Sequence, residues 1–460
     1  MGPETRYAKT PDGVYLAYQV VGSGPDVSAD FHLFAGNVDL IWEEPDWGPL
    51  LRELSKFARL ILHDRRGTGA SSRNVPPPNL ETRAGDLLAV LDAAGSEAPI
   101  LTAAASTGAM HALFAATYPD RTSGVFWNYP RPRLAWDPDY PWGQRPEDFE
   151  RAIVEGRKWG TSEYAREIAL SRAAQRAGIP HDKRHSLTVD DELVRRYAQI
   201  NRNTASPDMA EALTRISWQT DVRQILSVVQ APAALLVGED DSHAEQEEAE
   251  YTASLMPNGT LHVIPGRSGL QAEAQLEIIR ELAGVERSDA PTSSVLATLL
   301  FTDLVESTRT QAAVGDRAWK DLVSAHHQYV RDALSRWGGT EHDTSGDGFF
   351  ASFTGPARAI HCAHEIADRV ADLGFNTRAA VHIGECEIID GKPGGLAVTI
   401  AARLLKTAGP RNVVVSQTVK DLVAGSGFSF EDRGEHELKG VPDRWHLYAA
   451  ARAKDASRRA

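Results

Sequence analysis

The chain has 460 residues, 42% of them apolar and 24% charged, with 37 Gly, 25 Pro and 2 Cys. At roughly 100–200 residues per domain, that length predicts two or three domains, each with a core of its own. A formal charge of −14 argues against an electrostatic hold on nucleic acid or anionic lipid, and Cys362 and Cys386 are too few for a disulfide framework and lack metal-ligand spacing, as in a reducing cytoplasm.

The first residues, Met1 to Arg6, contain no apolar h-region, so secretion is not expected. Short apolar runs then alternate with helix-like segments. Strands are expected at Phe31–Phe34, Leu60–His63, Ile100–Ala104, Gly124–Trp127, Ala233–Val237 and Leu261–Ile264, and helices at Glu81–Ala94, Gly108–Tyr118 and Ala244–Met256. That alternation predicts a doubly wound α/β sheet covered on both faces. The uncharged stretch Ile100–Tyr118 approaches the length of a membrane span. It consists of Ala, Ser, Thr and Gly more than Leu or Ile, and Ser106 and His111 interrupt it, so a buried strand followed by a buried helix is expected and no membrane contact. Residues 130–223 break the rhythm with helical spacing and read as a cap inserted over the sheet's C-terminal edge. The polar, Pro-containing segment 286–293 has the composition of a linker between a first domain, 1–285, and a second, 294–450. In the second, strands at Ser294–Leu304, Gly348–Phe353, Arg378–Ile383 and Val413–Ser416 and helices at Gly315–Trp337 and Pro356–Leu373 predict an α+β domain. Residues 451–460 form a charged tail for which disorder is expected.

Ala104-Ala105-Ser106-Thr107-Gly108 follows a strand and opens a helix. A nucleophile elbow turns so tightly that only small residues fit two positions either side of its Ser, a demand that Ala104 and Gly108 meet around Ser106. Asp64-Arg-Arg-Gly-Thr-Gly-Ala-Ser71 and Phe34-Ala-Gly-Asn37 complete a pattern that resembles the α/β-hydrolase family over about residues 5–285. In that family a Ser is followed in the chain by an acid and then a His. Asp241 stands in the acid position, but Gly269 stands where the His is expected. His243 and His262 would each need a shifted geometry to serve Ser106. An inactive hydrolase-like domain that keeps a ligand pocket between sheet and cap is therefore expected. A serine esterase using Ser106, joined to a degenerate nucleotide-binding module, is the alternative.

Leu299-Leu-Phe-Thr-Asp303 is an apolar strand ending in Asp, followed by Ser307 and Thr308 at the start of a helix, where backbone N–H groups can receive phosphates. Thr344-Ser-Gly-Asp347-Gly-Phe-Phe350 places a second Asp at the tip of a turn between two strands. Two such carboxylates side by side suit two divalent ions. With His382-Ile-Gly-Glu385, Ala401-Ala-Arg403-Leu404 and Glu437-Leu-Lys439-Gly-Val441 following in order, residues 294–450 resemble the class III adenylate/guanylate cyclase catalytic domain, a ferredoxin-like α+β fold. The resemblance implies conversion of ATP or GTP to the 3′,5′-cyclic nucleotide and pyrophosphate, with Mg2+ or Mn2+ as cofactor, two ions per site. It also implies that Asp303 and Asp347 hold the metal, Arg403 stabilises the transition state and Lys439 contacts the terminal phosphates. Sites in this family lie between two cyclase domains, so a cytoplasmic homodimer is expected.

Two positions depart from the adenine-selective pattern. Asp343 stands where those members carry Lys, and Lys392 where they carry Asp, an exchange of charges. Lys392 and Asp343 can serve adenine N1 and N6, or guanine O6 and N1–H with N2–H, or be solvated loop charges. Thr399 replaces the Asn common in the family, a weaker orienting group. ATP is favoured and GTP stays open.

Overall fold

Apolar runs pair into two separate sheets, one in each of two units, Met1–Ala290 and Pro291–Ala460. The computed structural model describes residues 3–30, 37–44, 47–177, 179, 181–267, 271–284, 294–305, 307–389 and 392–452. The expected strand Phe31–Phe34, most of the Phe34–Asn37 segment, Gly269, the linker 286–293 and residues 453–460 of the tail lie outside the described residues.

In the first unit the strands are β1 (Arg6–Lys9), β2 (Tyr15–Val21), β3 (Asp26–Asp30), β4 (Arg59–His63), β5 (Ile100–Ala104), β6 (Gly124–Asn128), β7 (Ala233–Gly238) and β8 (Gly259–Ile264). Their order across the sheet is β1-β2-β4-β3-β5-β6-β7-β8, antiparallel at β1-β2 and β2-β4 and parallel beyond. β5, β6 and β7 are buried at every position, as befits parallel strands covered on both faces. Helices α1 (Trp47–Leu54), α2 (Leu80–Ala94) and α3 (Gly108–Thr117) alternate with these strands. Four more, α4 (Pro146–Gly156), α5 (Ser162–Arg176), α6 (Asp191–Thr204) and α7 (Pro207–Gln219), are inserted between β6 and β7, and α8 (His243–Ser254) and α9 (Ala272–Gly284) close the unit. Local chemistry sets the helix starts: Asn79 Oδ1 accepts from Thr82 N–H at 2.7 Å, and Ser242 and Glu245 form a reciprocal capping box.

The Asp64–Ser71 segment ties this unit together. Asp64 accepts from the Val38 and Ala70 N–H groups at 2.9 and 2.7 Å, and Ser71 Oγ donates to Asp64 O at 2.7 Å. Burial pushes the Asp64 carboxyl up to about 7 against those two hydrogen bonds. The motif that marks the fold is thus a backbone clamp.

The second unit comprises β9 (Ser294–Leu304), α10 (Ser307–Val314), α11 (Asp316–Trp337), β10 (Thr340–Ser345), β11 (Gly348–Phe353), α12 (Pro356–Ala371), β12 (Thr377–Ile389), β13 (Lys392–Gly394), α13 (Leu396–Leu405), β14 (Val413–Ser416), α14 (Gln417–Leu422), β15 (Phe428–Glu437) and β16 (Arg444–Arg452). The sheet order is β10-β11-β9-β12-β14-β16-β15, with β13 folded back on β12. Along α13, Ala397 and Ala401 pack on Leu299 and Cys386, while Ile400 and Leu404 pack on Ala380, Val414 and Leu447. Cys362 and Cys386 are buried free thiols, serving as small apolar residues. Among the described residues no helix is long and apolar enough to cross a membrane.

Candidate functional site

In the first unit the turn after β5 carries one residue in the left-handed region, and that residue is Ala105, at φ 50°. In a nucleophile elbow the strained apex belongs to the nucleophile. Spacing centres the elbow on Ser106; the backbone centres it one residue earlier, on a methyl group. Trp127 fixes the turn from below. Its Nε1–H donates to Ala105 O at 2.5 Å, and a Cβ on Gly108 would stand 2.1 Å from the Trp127 ring. Asp241 follows β7 and accepts from Gly238 N–H at 2.7 Å. His243 is 86% exposed and sits 3.2 Å from Glu247, a partner on its own helix.

In the second unit, antiparallel pairing of β11 with β9 sets Phe349 opposite Thr302, so Asp347 in the β10–β11 turn and Asp303 at the end of β9 come to one end of neighbouring strands. One imidazole reports on both. His326 on α11 is buried, its Nε2 lies 3.1 Å from Asp347 O, and burial pushes its pKa down while the Asp347 and Asp303 charges oppose that shift. Asp347 Oδ2 is buried without a hydrogen-bond partner. Asp303 Oδ2 accepts from Arg378 Nε at 3.0 Å, from the facing position on β12. Sequence reasoning missed both His326 and Arg378. The signal for Arg378 is its register opposite Asp303, which appears only once β12 is paired with β9.

An orphaned buried carboxylate oxygen beside a second carboxylate fits a hard divalent cation, which takes one or two protein carboxylates and completes its shell from phosphate and water. Among the described residues no cluster of three or more His, Cys, Asp or Glu could hold a metal unaided. Ser307 opens α10 four residues after Asp303, so the first-turn N–H groups follow directly on the carboxylate strand. Thr308 lies in the same first turn.

The remaining predicted residues gather elsewhere. Arg403, in the last turn of α13, donates from Nε to Lys439 O at 3.0 Å, and Thr399 stands one turn before Arg403 on the same helix. Lys439 follows β15, where Glu437 pairs with Arg444. Asp343 is exposed on β10, opposite Phe350 in register. Lys392 begins β13, and its charge helps push His342, the neighbour of Asp343, below its usual pKa, after burial. No direct ion pair joins Asp343 to Lys392 among the described residues.

Register separates the two groups. Thr302 pairs with Ala379, Ala379 with Val413 and Val413 with Ala450, which puts the Asp303 end of β9 level with the far end of β16 from Arg444. The distance from Ala450 back to Arg444 is about 20 Å along the strand, and β9 lies about 14 Å from β16 across the sheet.

Comparison with known proteins finds the alpha/beta hydrolase family over residues 32–281. An uncharacterized protein of Mycobacterium tuberculosis (strain ATCC 25618 / H37Rv), Rv0891c, is 31% identical over 157 residues, 33% of this chain and 54% of that protein. The receptor-type adenylate cyclase GRESAG 4.3 of Trypanosoma brucei brucei is 36% identical over 89 residues, 19% of this chain and 7% of that one. Among solved structures, the adenylyl cyclase CyaB from P. aeruginosa aligns at 16% identity and a TM-score of 0.33, covering 35% of this chain and 96% of that chain. The chain thus spans about half the length of the mycobacterial relative and a small part of the trypanosome one.

Proposed function

The chain belongs to the alpha/beta hydrolase family, and from that premise we propose a division of labour in which the hydrolase-like unit turns over no ester and the C-terminal unit is a homodimeric nucleotide cyclase. ATP is the favoured substrate, GTP the second, and the products are the 3′,5′-cyclic nucleotide and pyrophosphate. The observation that carries this reading is the separation of two complementary half-sites on one sheet. Asp303 and Asp347 offer carboxylates at one end, while Arg403 and Lys439 offer cations at the other, too far away to meet on one triphosphate. A second copy turned about a two-fold axis would bring its cationic end to the first copy's carboxylates, completing two sites.

Asp347 and Asp303 would hold Mg2+ or Mn2+. Bound there, such ions activate the ribose 3′-hydroxyl and neutralise the phosphoryl charge of an in-line displacement. The chain's own residues do the rest. Arg378 orients the Asp303 carboxylate and balances its charge. The first-turn amides of α10, those of Ser307 and Thr308 among them, receive phosphate oxygens. From the second copy, Arg403 faces the charge developing around the α-phosphorus, Lys439 holds the terminal phosphates, and Thr399 orients the ribose. Asp343 and Lys392 present an acceptor and a donor to the base edge. Ala105 at the elbow apex weighs against the alternative of a serine esterase, since a methyl group there supplies no nucleophile.

The test is incubation of the purified full chain with Mn2+ and ATP, GTP, CTP or UTP, followed by mass spectrometry. A 3′,5′-cyclic purine nucleotide is expected, with ATP leading. No cyclic product from any of the four would contradict the reading.

A further inference from the structure

Gly346 and Asp347 alone close the β10–β11 hairpin, since Ser345 pairs with Gly348 across it. Gly346 holds φ 64°, a left-handed conformation that glycine adopts without strain. In so short a turn neither carbonyl oxygen has a place in the strand ladder, so each needs another partner. Helix α11 supplies both. His326 Nε2 lies 3.1 Å from Asp347 O, and His327 Nε2 lies 2.8 Å from Gly346 O. A carbonyl oxygen only accepts, so each imidazole donates from Nε2–H. Adjacent helix positions point about 100° apart, which lets the two rings straddle the turn. Phe349 meets both rings, at centroid distances of 5.7 and 5.1 Å.

The consequence is geometric. The Gly346–Asp347 peptide plane sets φ of Asp347, and the Asp347–Gly348 plane sets its ψ. Holding the carbonyl of each plane fixes both soft torsions of Asp347 and with them the direction of its Cα–Cβ bond. The Asp347 side chain depends on this, because its Oδ2 is buried with no hydrogen-bond partner. Asp303 is held differently, through its carboxylate, by Arg378. Packing alone does not account for an imidazole at 326. Its Nδ1 is buried and unpartnered, a cost that an apolar side chain would avoid, so what the ring contributes is the hydrogen bond from Nε2. Docking of α11 does not hang on the imidazoles. Arg331 donates to Glu341 on β10 at 2.8 and 2.9 Å, and Val330 and Leu334 are buried on the same helix.

We propose that His326 and His327 are positioning residues for the metal site, fixing the backbone of Asp347 so that its carboxylate is aimed before a divalent ion arrives. The inference rests on the reading of Asp347 as a metal ligand. Each imidazole acts through a backbone carbonyl and touches neither the nucleotide nor the reacting atoms.

The experiment is titration of the full chain with Mn2+ in the absence of nucleotide, read by electron paramagnetic resonance. His326→Leu removes the donor and should raise the Mn2+ concentration for half-saturation by about fivefold or more. His327→Leu should raise it by about threefold, since that hydrogen bond is open to water. His326→Gln, whose Nε2 can reach the same carbonyl, should bind within about twofold of wild type. A purely structural role would leave Gln no better than Leu, because Gln fills the ring's space less well, so Gln as weak as Leu overturns the proposal. Wild-type affinity in both Leu variants also overturns it, and in one of them removes that residue from it. In either case Mn2+ binding by wild type leaves the metal reading of Asp347 standing. No Mn2+ binding by wild type would instead sink that reading, and this inference with it. Should His326→Leu fail to fold, His327→Leu decides.

Discussion

Arg378 and Asp303 face each other across β12 and β9, with Arg378 Nε donating to Asp303 Oδ2 at 3.0 Å. A cation placed there competes with any divalent ion for the same carboxylate oxygen. Arg378→Gln should therefore lower the Mn2+ concentration needed for half-saturation in the absence of nucleotide by about threefold or more, as read by electron paramagnetic resonance. The pair is a quarter to a third exposed, so solvent screening limits the effect. Unchanged or weaker Mn2+ binding would show that Arg378 does not oppose the metal.

Asp343 and Lys392 are both exposed, and under the proposed function they would read the base. If Asp343 accepts from the adenine N6 amino group, Asp343→Ala removes that acceptor and moves the ATP-to-GTP ratio of kcat/KM toward GTP by about tenfold. A ratio that does not move would make the two residues solvated loop charges.

The elbow geometry predicts a negative result. The full chain should turn over no p-nitrophenyl ester above background, and a fluorophosphonate should label neither Ser106 nor any other residue of the first unit. Labelling of Ser106 would mean that the turn reorganises to present it.

His382 yields a pH prediction of definite sign. It is buried, its Nδ1 lies 2.9 Å from Ser416 Oγ, and burial pushes it down to about 3. A folded-state pKa below the unfolded value means that the unfolded chain binds more protons between about 3 and 6.5. The stability contributed by neutral His382 is thus complete above about pH 6.5 and lost as pH falls toward 3. In the folded protein its NMR resonances should not titrate between pH 7.5 and 5. A midpoint near 6.5 would contradict the burial argument.

Much of the fold was legible because burial imposes period and length on strands. Ile100–Ala104, Ser294–Leu304, Gly348–Phe353 and Val413–Ser416 match β5, β9, β11 and β14 end to end. Long-range register was not legible, and the site depends on it. β12 runs on to Ile389, past the apolar run that marks it, because its last residues, Glu387–Ile389, pair with β13. The elbow was misplaced by one residue for a local reason: Ala103 and Ala104 are equally small, and on the other side Gly108, two residues after Ser106, fits the size rule better than Thr107, two after Ala105. The positive φ of Ala105 decides for the other frame. The carboxylate motif of Asp303 and Asp347 could be read from its flanking residues, but Arg378 carries no comparable local signature. The distance between the carboxylate and cationic ends is likewise a property of paired strands, invisible to spacing along the chain.

In the proposed homodimer each copy supplies half of a site. The direct measurement is subunit complementation between Asp347→Ala and Arg403→Ala, each assayed alone and after mixing as full chains with Mn2+ and ATP. Each variant alone should form no cyclic product, because both of its sites are damaged. A mixed dimer holds one doubly damaged site and one intact site, so random exchange of subunits should restore about a quarter of wild-type activity. No recovery on mixing, with dimers shown to exchange and wild type active, would contradict the account.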